Sequence, residues 1–109
     1  DGWTRVVLGL ELLEADRLEE ASGELLSGAR LREEDTDAQL AAALASAAIG
    51  REGIAYEMLE RARMRSAEGD LALVTAVEDR IEAGHEAAFS MLDEDLAPNM
   101  LRMRLTERP

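Results

Sequence analysis

The chain has 109 residues, with 12 Arg, no Lys, 24 Asp plus Glu, one His and no Cys, for a net charge of −12. That length allows one domain with one modest core. The charge excludes nucleic acid and anionic lipid as partners, because both need clustered cations. No apolar run reaches the roughly 18–20 residues of a membrane span. The absence of Cys removes disulfides, zinc–thiolate sites and thiol catalysis.

Ala occurs 19 times and Leu 17 times, and Glu outnumbers Asp by 16 to 8. These are helix formers, and no segment alternates as a half-buried strand would. The expectation is an all-α fold. The first helix is predicted over Trp3–Ala15, with Val6, Val7, Leu10 and Leu13 on one face and Leu8 and Leu12 beside it. The second spans Leu18–Leu31, with Arg30 and Arg32 at its cation-favouring end. A charged loop, Glu33 to Asp37, leads to a third helix over Ala38–Ile49, capped by Thr36 or Asp37.

Gly50-Arg51-Glu52-Gly53 reads as a tight turn before a fourth helix, Ile54–Arg65. Glu68-Gly69-Asp70 breaks the pattern again, with Asp70 as a cap for a fifth helix, Leu71–Ala83. Gly84 ends that helix, and a sixth runs over Glu86–Leu96. Pro98-Asn99 is expected to interrupt the chain before a short last helix, Met100–Leu105. That helix is apolar on too many sides for solvent. It should dock on the end of the fold, pair with a second copy or continue into further chain.

Sliding the sequence on itself by 34 residues brings Ala21 onto Ala55, Leu25 onto Leu59, Gly28 onto Ala62 and Asp16 onto Gly50. Two helices per 34 residues is the spacing of the tetratricopeptide repeat. Gly50, Ala55, Leu59 and Ala62 resemble that family's second-helix pattern, and Leu8-Gly9 resembles the Leu-Gly pair of its first helix. Small residues at Gly9, Ala21, Ala43 and Ala55 would let paired helices approach closely. A third unit is degenerate: Ala88 and Leu92 lie 33 residues after Ala55 and Leu59, with Gly84 one place off from them. The units are expected over residues 2–35, 36–68 and 69–98, followed by a C-terminal helix at 99–106. The opening Asp1-Gly2 and the end at Pro109 read as those of a piece of a longer protein.

The resemblance implies a concave groove lined by the first helix of each unit. In this chain that set is Trp3, Val6, Leu10 and Leu13, then Asp37, Leu40, Leu44 and Ala47, then Leu71, Val74 and Glu78. The partner-binding candidates are Trp3, Val6, Leu10, Leu13, Leu40, Leu44 and Val74. Such a groove, apolar with an acidic fringe, suits a peptide or amphipathic helix with basic flanks. Family members that grip a terminal carboxylate use Lys, Arg and Asn on the first helices. This chain has no Lys and one Asn, Asn99, so it lacks that clamp.

The lone His85 follows a helix-ending Gly, and the position four residues on is Phe89, so no zinc helix motif forms. The clusters Glu33, Glu34, Asp35, Asp37 and Asp93, Glu94, Asp95 lack calcium-loop spacing. Arg61 and Arg65 share a helix face with Glu57 four residues before Arg61, a favourable pairing. The expectation is a cytoplasmic interaction scaffold with a protein or peptide partner, no catalysis, no metal and no cofactor. The alternatives are a homodimer formed through exposed apolar helices and a small-ligand or enzyme site in a helical bundle. The acid excess fits either an ordinary acidic helical domain or a halophile.

Overall fold

Helix α1 (Gly2–Glu14) begins on Asp1, whose side chain accepts the Thr4 N–H at 2.8 Å. Val6, Leu10 and Leu13 turn inward from α1, which packs on α2 (Leu18–Leu31). Then come α3 (Thr36–Ala48), α4 (Glu52–Arg65), a 3-10 turn at Glu68–Asp70 and α5 (Leu71–Ala83). Helix α6 (His85–Met91), a π turn at Leu92–Leu96 and α7 (Ala97–Thr106) complete the order. The computed structural model describes residues 1–106, with side chains through residue 103. Every element among the described residues is helical, so the fold is an all-α array joined by short turns.

The 34-residue self-match is written into the backbone. Asp16 and Gly50 both take positive φ, +60° and +83°. Arg17 N–H donates to Leu12 O at 2.9 Å, and Arg51 N–H donates to Ser46 O at 2.9 Å. Asp16 N–H reaches Leu13 O at 3.1 Å, and Gly50 N–H reaches Ala47 O at 3.1 Å. Each pair closes a helix in the same Schellman arrangement, which satisfies two otherwise orphaned carbonyls. Hairpins α1–α2 and α3–α4 therefore share one turn. The α5–α6 turn departs from it, since Gly84 at φ +121° both ends α5 and starts α6.

Close approach in the first hairpin depends on glycine. A Cβ on Gly9 would lie 2.7 Å from Leu25 Cγ. A Cβ on Gly28 would lie 2.6 Å from Val6 Cγ2 and 2.8 Å from the Gly2 carbonyl oxygen. Ala21, Ala43 and Ala55 are likewise fully buried at their helix contacts.

Helix α3 is the axis of the molecule. Every residue from Ala38 to Ala47 is buried. A helix on the surface keeps one wet face, whereas α3 is enclosed by α2, α4, α5, α6 and the π turn. Its methyl-sized side chains let these neighbours come close. The radius of gyration is 12.2 Å, against about 13 Å for a compact domain of 100 residues.

The last three segments form one unbroken helical run that lies on α3 and then touches α1. Ala88, Leu92, Leu96 and Met100 are all buried along it. Strict four-residue spacing drifts about 40° per step on an α-helix of 3.6 residues per turn. The wider π turn takes up that drift and keeps the row facing inward. In this turn Ala97 N–H donates to Leu92 O, five residues back.

Several sequence expectations change here. Pro98 does not break the chain, because the widened turn before it gives the ring room. The cap of α3 is Asp35, not Thr36 or Asp37: its extended backbone aims Oδ1 at the Ala38 N–H, 3.0 Å away. Helix α4 starts at Glu52, so Gly53 lies inside it. The Asp70 side chain makes no capping bond to α5. Of the last-helix residues, Met100 docks in the core, while the Leu105 side chain lies outside the described residues.

Candidate functional site

The expected open groove is closed. Val6, Leu10, Leu13, Leu40, Leu44 and Val74 are at most 3 % exposed. All six belong to one continuous core with Leu92, Leu96 and Met100. Periodicity placed them on apolar faces; α1 packs chiefly on α2, and the chain's own α6–α7 run lies over α3 and α5 where a partner was expected. Ala47 is buried with them, Leu71 is exposed, and Glu78 bonds to Arg63 at 3.0 Å. Of the expected lining, Trp3, Asp37 and Glu78 stay partly open, and Trp3 and Asp37 lie together.

They meet in a cleft of about 180 Å3 lined by Trp3, Arg32, Asp35, Asp37, Met100 and Met103. Four elements supply it: the start of α1, the end of α2, the first turn of α3, and α7. Trp3 packs against the core and is the only Trp of the chain. The Arg32 guanidinium carbon sits 5.2 Å from its ring centroid, a cation–π contact. Arg32 Nε also donates to Asp35 Oδ2 at 2.8 Å. The stem of Arg32 fits because residue 2 is glycine; a Cβ there would lie 2.5 Å from Arg32 Cγ.

Gln39 braces this corner from beneath. Its Nε2 donates to Ala29 O at 2.7 Å and Arg32 O at 3.1 Å, carbonyls at the end of α2 that also accept the Arg32 and Asp35 N–H groups. Gln39 is itself buried, and its Oε1 has no partner. Asp35 has two tasks, capping α3 and pairing Arg32. Asp37 has neither. Among the described residues no ion pair or hydrogen bond holds its carboxylate. Burial raises its pKa above the ordinary 3.8, and the Asp35 and Asp70 charges raise it further. Arg32 and Asp35 also border a shallower hollow of about 620 Å3 along residues 30–35, beside the exposed Leu31.

Sequence reading missed Arg32, Gln39, Met100 and Met103 as members of this site. Arg32 and Gln39 flank a loop noted for charge alone. The methionines arrive from the far end of the chain, and no local signal links them to Trp3. Elsewhere the arginines of α4 pair with acidic residues at the surface. Arg61 meets Glu57 at 3.2 Å, and Arg63 reaches both Glu60 and Glu78. His85, the first residue of α6, bonds Glu52 Oε1 at 3.0 Å, and that bond lowers the Glu52 pKa.

Among the described residues, no helix is long and apolar enough to cross a membrane, and no group of three potential ligands could hold a metal ion. No family model, curated protein or solved structure matches the chain.

Proposed function

We propose that this chain is a protein-interaction domain that seats a segment of a partner protein in the Trp3 cleft. The observation that carries the reading is the cleft itself: an indole and two thioethers beside a carboxylate that has no partner among the described residues, at one end of the array. Large aromatic anchors dominate interface energetics, and methionine adapts to varied shapes. The site shifts from the expected groove to the groove's end, because α6 and α7 fill the rest. We read α1–α2 and α3–α4 as two tetratricopeptide-type units, a reading that rests on their shared turn. The proposal assigns the domain no catalysis.

Panning a random peptide library on the full chain tests this. Binders are expected to quench or shift Trp3 fluorescence. Trp3→Ala should weaken them at least tenfold, read by calorimetry, as loss of a buried aromatic anchor does. Binders indifferent to Trp3→Ala would overturn the assignment. A second copy of the chain is the rival occupant. Light scattering that gives a concentration-dependent dimer, abolished by Trp3→Ala, would assign the cleft to self-association.

A further inference from the structure

We infer that the cleft selects a partner segment in which a Lys or Arg neighbours a large apolar side chain, and that Asp37 receives the cation. The inference rests on the reading of the cleft as a partner site and adds the partner's chemistry. The apolar half of the cleft is Trp3, Met100 and Met103, and about 180 Å3 admits one large side chain. The polar half is asymmetric. Its one lining cation among the described residues, Arg32, is committed to Asp35 and to the Trp3 ring. Asp35 is committed to Arg32 and to the Ala38 N–H.

Asp37 is left half-buried, with like charges at Asp35 and Asp70 and no cation against it among the described residues. A carboxylate desolvated without a partner is unfavourable, and an arriving ammonium or guanidinium relieves it while making a charge-assisted hydrogen bond. The net charge of −12 draws cationic segments toward the surface at low salt. That field is general, whereas the pairing at Asp37 is local and sits one side chain away from the apolar anchor point.

The test pans the same peptide library and measures binders by calorimetry on the full chain. Enriched peptides are expected to carry Lys or Arg within two positions of Leu, Ile, Met or an aromatic residue. Asp37→Asn should weaken them about tenfold. Replacing the peptide's cation with Gln should cost the same on the wild-type chain and nothing further on Asp37→Asn, so the two losses share one interaction. Asp93→Asn, in the exposed acidic cluster of the π turn and outside the cleft lining, should leave affinity within about twofold. Peptides without cations that are lost on Trp3→Ala but not on Asp37→Asn would overturn the inference and leave the cleft reading intact. Equal losses on Asp93→Asn and Asp37→Asn would also overturn it, by assigning the attraction to the general field. Binders insensitive to Trp3→Ala overturn the cleft reading and this inference together.

Discussion

Asp37 binds its proton more tightly in the folded chain than in the unfolded one, because burial and two neighbouring carboxylates penalise its charge. The linkage sign follows. A folded-state pKa above the unfolded value means the native state holds more protons over that interval, so stability falls as pH rises through it. The cost is absent below the unfolded pKa and fully present above the folded one. Asp37→Asn removes the ionisation. The melting temperature of the variant relative to wild type should therefore climb as pH rises from about 3 to about 7. A difference that stays constant with pH would contradict the argument. Asp37 and Trp3 were both legible in the sequence as groove-lining positions. Gln39 was not, because its task, closing the end of α2, depends on how α3 leaves the loop.

The helices show why the same substitution can change sign from place to place. Gly23 lies inside α2 with open space where a Cβ would stand. Gly23→Ala should stabilise the chain by about 0.5–1 kcal/mol, through helix propensity and a less flexible unfolded state. Gly28, one and a half turns further along the same helix, has Val6 and the Gly2 carbonyl oxygen in that space. Gly28→Ala must push α1 away and should cost about 1–3 kcal/mol. Urea melts of both variants check the pair, and two shifts of equal sign would contradict it. Helix existence was legible because apolar spacing survives in every segment. Boundaries were less so: α3 starts at Thr36 and α4 at Glu52, earlier than the pattern implied, since capping geometry depends on backbone angles that composition does not encode.

Across the whole molecule, periodicity told which faces are apolar but not what covers them. Leu40 and Leu44 looked like groove lining because nothing local showed that Leu92 and Leu96, about fifty residues on, would join the same core. The chain fills its own groove, so the last helix should carry part of the stability. Truncation after Leu96 removes the buried side chains of Ala97 and Met100. A loss of about 2–4 kcal/mol is expected, the size of one large core truncation with its cavity. Melting of the truncated chain checks this, and an unchanged midpoint would show that α7 contributes no packing.

The π turn at Leu92–Leu96 makes the end of the chain sensitive to counting rather than to chemistry. Adding a single residue there would turn everything downstream by about 100°, whereas removing one lets the wide turn close to an ordinary α-turn with the register kept. With a residue added, Met100 would leave the core and the wall of the Trp3 cleft, though every original side chain was unaltered. Conservative replacements in this stretch are a mild lesion by comparison. The segment between Ala88 and Met100 behaves as a spacer whose length matters more than its composition, and a one-codon insertion in it would disable the site more thoroughly than most point mutations on the surface.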